Sequence, residues 1–152
     1  MTTRVRVGEE DFDCAAEVAS ISKGRRDLGA IVTFTGLCRD EGGRLAALEL
    51  EHYPGMAEEE IARVVAQARE RWPLEAVTVI HRSGKIAPGA QIVLVVTASS
   101  HRAAAFAGAD FLMDYLKTSA PFWKKEHPIN GPATAWVAAK DDDDRAMERW
   151  RK

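Results

Sequence analysis

Three lysines fall within nine residues, Lys117 to Lys125, in the run Lys-Thr-Ser-Ala-Pro-Phe-Trp-Lys-Lys. An amine crowded by Phe122 and Trp123 loses hydration, which lowers its pKa and makes it a usable base or nucleophile. Lysines near a helix end also complement the helix dipole without doing chemistry, so the residues alone leave both readings open. A second constellation, Ser99-Ser100-His101-Arg102, opens a helix directly after an apolar strand. The free N–H groups of such a terminus, with the donor fork of Arg102 and the imidazole of His101, suit a phosphate-like anion. The competing reading is a capped helix with two solvated side chains. Arg39 stands on a glycine-containing loop, where function often resides, though a surface pair with Asp40 or Glu41 also accounts for it. Cys38 becomes a nucleophile only if its thiol pKa is lowered and a base is placed beside it. The four histidines (His52, His81, His101, His127) show no metal-ligand spacing, and there is no Walker loop, GxGxxG or GxSxG.

These groups need elements to hold them. Pro121 lacks an N–H and restricts the residue before it, so the helix carrying Lys117 must end near Thr118. The chain then turns at Ala120-Pro121 and runs extended through Phe122-Trp123, aiming Lys117 from a helix end and Lys124 from a strand. Upstream, Arg4–Val7 reads as a first strand and Glu9–Ser22 as a helix closed by Lys23-Gly24. Gly29–Gly36 is β-branched and apolar, a buried strand, and Leu45–Tyr53 alternates, a strand with one wet face. The polar loop 37–43 between them suggests a hairpin with a long tip. Met56–Trp72 is a helix with its stripe on Ile61, Val64, Val65, Ala68 and Trp72, and Pro73 stops it. Ala76–Arg82 is a strand, Gly84–Gly89 a turn-rich connection, and Gln91–Thr97 a central strand apolar on both sides. Ser99-Ser100 then offers N-cap hydroxyls to a helix from His101 to Lys117 with Ala105, Ala109, Leu112, Met113 and Leu116 on its stripe and Phe106 beside it. Thr134–Ala138 is expected to be a last strand, and the acidic run Asp141–Asp144 to start a short tail helix within about 141–152. Strands joined directly favour antiparallel pairing, so the fold class is α+β, mostly antiparallel with three main helices.

At 152 residues the chain amounts to about one domain, 1–152. A net charge of −2 argues against a broad nucleic-acid surface. No apolar run approaches the roughly 20 residues of a membrane helix. With no apolar segment behind Met1-Thr-Thr-Arg4 and no CxxC pair, a cytoplasmic protein with reduced thiols is expected.

Six segments in order carry a resemblance: Thr33–Arg39, Leu50–Met56, Arg71–Pro73, Val79–Arg82, Ser100–Arg102 and Met113–Lys124. Together they resemble the large, catalytic subunit of molybdopterin synthase, the MoaE family, over nearly all of Gly29 to Trp150. The resemblance implies an α/β-hammerhead fold. It also implies a homodimer that binds two small ubiquitin-like sulfur-carrier subunits, a heterotetramer. The carrier's C-terminal Gly-Gly tail, bearing a thiocarboxylate, would enter the large subunit. Two sulfurs would pass to cyclic pyranopterin monophosphate, giving the molybdopterin dithiolene of molybdenum cofactor biosynthesis, with no cofactor or metal of the enzyme's own. Carried over by position, Lys117 and Lys124 are the catalytic lysines. Arg39, His101, Arg102, Lys125, Glu126, Cys38 and Leu37 fall in substrate-binding segments. The family often has a basic residue in place of Leu37 and usually valine in place of Cys38, which implies packing at Cys38. Phe122 and Trp123 are candidates to line the tail's channel.

One distance constrains this picture. From His101 to Lys117 is sixteen helical steps, roughly 24 Å, too far for one small substrate. A site shared between two copies, Lys117 of one facing His101 and Arg102 of the other, resolves it. The rival classes are a module that captures a tail or phosphorylated metabolite without chemistry, and a phosphoester hydrolase using His101 as base.

Overall fold

The computed structural model describes residues 2–119, 121–137 and 148–151. The elements in order are β1 (Thr2–Gly8), α1 (Cys14–Ser22), β2 (Ala30–Leu37), β3 (Leu45–His52), α2 (Met56–Arg71), β4 (Leu74–Arg82), β5 (Gly84–Ile86), β6 (Gln91–Ser99), α3 (Arg102–Thr118) and β7 (Phe122–Pro128). They form a four-stranded sheet in the order β1-β4-β6-β2 and a three-stranded sheet in the order β5-β3-β7. Among the described residues only β1 against β4 is parallel, and the other pairings are antiparallel. The described residues adopt the expected α+β class, with three helices among them.

The four-stranded sheet is covered on both faces, which explains the unbroken apolar runs of β4 and β6. Strand alternation turns Val77, Val79, Val93 and Val95 toward α2 and α3. There they meet Ile61, Val64, Val65, Phe111, Leu112 and Leu116 in the main core. Ile80, Leu94 and Val96 point the other way, against Phe12 and the apolar side of α1. Thr97, fully buried in the sheet, satisfies its hydroxyl by donating to Ala105 O of α3 at 2.6 Å. A third cluster of Cys38, Leu45, Leu50 and Ile86 lies with the smaller sheet.

Several expectations are corrected. Strands β2 and β3 do not form a hairpin: β2 pairs with β6 and β3 with β5 and β7, so loop 38–44 crosses between sheets. The Gly84–Ile86 connection is itself a short strand. Ser83 alone separates it from β4, and Gly84, at φ +80°, lets the chain leave one sheet for the other. The first helix begins at Cys14, not Glu9, because Asp13 caps it by accepting from Ala16 N at 3.1 Å. The last strand over 134–138 reduces to one bridge between Val137 and Lys124, with Ala138 outside the described residues. The tail helix falls outside them over 141–147.

Residues 148–151 fold back on α2 and α3. Trp150 meets Trp72 and Phe111 edge-on at 5.5 and 5.6 Å. Arg149 bonds both Asp110 and Asp114, and the Trp150 indole N–H also donates to Asp114.

Candidate active site

Helix α3 starts just after β6 ends and packs along it. It therefore runs back to the edge where β6 begins at Gln91, where β4 ends at Arg82, and where β2 ends with Leu37 opposite Gln91. Lys117, exposed in the last turn of α3, belongs to that edge. Arg39, two residues beyond β2, lies at the same edge on the crossing loop. It is 85% exposed and reaches only a loose 3.9 Å pair with Glu41. Leu37 is 54% exposed, whereas Cys38 is 3% exposed. Burial raises the Cys38 thiol pKa, and its backbone is fixed by hydrogen bonds to Ala90 O and from Gly89 N. The thiol therefore packs and does not ionise readily.

Strand β7 brings the second lysine. In its antiparallel ladder with β3, Phe122 stands opposite His52, Lys124 opposite Leu50, Lys125 opposite Glu49 and Glu126 opposite Leu48. Directly opposed residues share a sheet face, so Phe122, Lys124 and Glu126 share the face of the buried Leu50. Lys125 points the other way, its Nζ 4.4 Å above the Trp136 ring. Phe122 is half-buried, while Trp123 packs edge-on against Tyr53 at 5.5 Å. Trp123 also lines an open pocket of about 360 Å³ with Glu51, His52, Tyr53 and Trp136.

One group at this edge was not singled out by sequence. His81, the penultimate residue of β4, is buried, and its ring lies flat on Phe122 at 4.0 Å and 18°. Its Nδ1 is 2.9 Å from Arg82 O, a bond that requires the proton on Nδ1. Burial, and then the nearby charges of Lys117 and His52, pull its pKa down to about 4. The ring is neutral under ordinary conditions. A histidine closing an apolar strand hinted at burial, but its partners come from α3, β3 and β7, which no local pattern links.

At the opposite end of α3, His101 is the N-cap residue, in extended conformation and without a side-chain cap bond. The expected hydroxyl cap is absent because Ser99 Oγ donates to Pro73 O at 2.8 Å and lies a long 3.5 Å from His101 N. No acidic residue occupies the first turn. His101 and Arg102 are exposed beside a positive helix terminus. Gly29 makes this turn possible: a Cβ there would stand 2.0 Å from Ser100 O. Because α3 is unbroken from Arg102 to Thr118, fifteen steps of about 1.5 Å still separate Arg102 from Lys117 by roughly 22 Å. Within one chain Lys117 acts electrostatically on His81, His81 stacks on Phe122 two residues before Lys124, and the Arg39 loop leaves the same sheet edge, whereas His101 and Arg102 lie at the far end of α3.

The two-sheet α+β fold of this chain is shared with solved relatives. Molybdopterin cofactor biosynthesis protein E from Burkholderia multivorans superposes with a TM-score of 0.85 at 47% identity, covering 99% of this chain and 97% of that one. The molybdopterin synthase catalytic subunit of Rhizobium meliloti is 64% identical over 97% of this chain and 96% of its own length. Its counterpart in Mesorhizobium japonicum is 63% identical over 97% and 92%. The family model described as MoaE protein matches residues 7–119. The chain belongs to the MoaE family, that of molybdopterin synthase catalytic subunits.

Proposed function

We propose that this chain transfers sulfur from the C-terminal thiocarboxylate of a small ubiquitin-like carrier subunit to cyclic pyranopterin monophosphate, forming the molybdopterin dithiolene. What supports this reading, in a member of this family, is that Lys117 lies near His81, whose ring stacks on Phe122 two residues before Lys124. Attack by a thiocarboxylate sulfur on a substrate carbon requires protons to move and developing oxyanions to be stabilised, and two ammonium groups supply both. Arg39 adds a guanidinium for the anionic substrate. Glu126 shares the face of Lys124 on β7 and is assigned with it to the substrate-binding segment. Phe122, on the face of Lys124, offers an aromatic wall for the carrier's flexible tail.

The site is completed by a second copy. His101 and Arg102 of one subunit bind the substrate's phosphate while Lys117 and Lys124 of the other do the chemistry, which the 22 Å separation within one chain supports. The functional unit is then a homodimer carrying two carrier subunits. Reconstitution with thiocarboxylated carrier and precursor tests the function. Product formation supports it; tight carrier binding without product makes the chain a capture module instead.

A further inference from the structure

The two lysines ride on different supports. Lys117 belongs to a helix packed on the four-stranded sheet, whereas β7, which carries Lys124, is hydrogen-bonded to β3 in the smaller sheet. Their mutual position is therefore set across the seam between the two sheets. The His81–Phe122 stack crosses that seam: His81 is the last residue but one of the interior strand β4, and Phe122 opens β7 two residues before Lys124 and on the same face. The imidazole is itself held, because its Nδ1 donates to Arg82 O and the residue is only 8% exposed. His52, opposite Phe122 in the β3–β7 ladder, also meets its ring at 5.9 Å and lies 4.0 Å from Glu58.

We propose that His81 is a positioning residue for sulfur transfer: its ring, flat against Phe122, pins the start of β7 to the large sheet so that Lys124 meets Lys117 over the substrate. This rests on the catalytic reading of the two lysines. The ring does not touch substrate; it fixes the register of a strand that does. A neutral imidazole suits the task, since it is buried without an ion partner and adds no third positive charge beside the lysines. Phenylalanine would keep the stack and lose only the bond that sets the ring's orientation.

The test measures kcat, precursor KM and carrier affinity for His81→Ala, His81→Phe, Phe122→Ala and the double variant His81→Ala/Phe122→Ala. Misplacing a catalytic group by about 1 Å costs up to about a hundredfold, so His81→Ala should lose tenfold or more in kcat, with KM and carrier affinity within about twofold. His81→Phe should recover most of that loss. The double variant should be no slower than Phe122→Ala, because both changes remove one coupling. A His81→Ala kcat within about twofold of the parent, no recovery by His81→Phe, or additive losses would each overturn the proposal. If His81→Ala does not fold, Phe122→Leu carries the same expectation of a kcat loss at unchanged KM. Lys117→Ala and Lys124→Ala, assayed in parallel, separate the two levels. Full activity in both removes the lysine reading, whereas inactive lysine variants beside an unaffected His81→Ala remove only the role of His81.

Discussion

Acid should destabilise this protein through His81, by an amount the structure sets. In the unfolded chain the imidazole titrates near 6.5, and in the folded chain near 4, because burial and the charges of Lys117 and His52 oppose the imidazolium. Between those values the unfolded chain binds a proton that the folded chain does not, so stability rises with pH across that window. The contribution of a neutral His81 is complete above about pH 6.5 and is lost as pH falls toward 4. At 1.36 kcal/mol per pH unit the full loss is about 3 kcal/mol, and about 2 kcal/mol of it has gone by pH 5. Carboxylates and the other histidines titrate in the same range, so the measurement is a difference. Urea unfolding of the parent and of His81→Phe is followed at pH 7.5 and pH 5. The phenylalanine variant keeps the stack with Phe122 and has nothing to protonate, so its stability should fall by about 2 kcal/mol less between the two pH values. Equal losses in both proteins would show that His81 is not held neutral, and would refute the burial argument at this edge.

Other predictions concern the site and its supports. Lys117→Ala should lower kcat by a hundredfold or more with the fold and carrier binding intact, a size typical of a lost acid or base; near-parental turnover would remove Lys117 from the chemistry. Arg39→Ala should chiefly raise the precursor KM, since an exposed guanidinium contributes binding more than transition-state contacts. Lys125→Ala should be far milder than Lys124→Ala, because Lys125 faces away toward Trp136; similar losses would contradict the alternation along β7. Mixing Lys117→Ala with Arg102→Ala subunits should restore about a quarter of parental activity, the share of intact shared sites expected from random pairing. No recovery would place each site within one chain.

Much of the fold was legible because local rules decided it. The stripe of α2 and one face of β6 share the main core, the other face of β6 packs against Phe12 and α1, and Pro73 and Pro121 end helices where their missing N–H groups require. What was misread depended on distant partners. Loop 38–44 looks like a hairpin tip, yet β2 finds β6 and β3 finds β7, pairings that no turn sequence encodes. Helical spacing puts Phe106 beside the core stripe of α3, yet it is 61% exposed, and the core takes Phe111 instead. Two serines before α3 suit caps by type, but Ser99 turns its hydroxyl to Pro73 and leaves His101 at the helix start. The corner at Pro121 was readable, and so was the distance along α3. The seam between the sheets, and the imidazole that bridges it, required the tertiary structure.

The most direct measurement follows molybdopterin formation in a mixture of this chain, cyclic pyranopterin monophosphate and a carrier bearing either a C-terminal thiocarboxylate or an ordinary carboxylate. Sulfur transfer at the Lys117–Lys124 edge predicts product with the thiocarboxylate alone, and its loss when both lysines are replaced by alanine. Carrier that binds but yields no product, or product that persists without the lysines, would contradict the account.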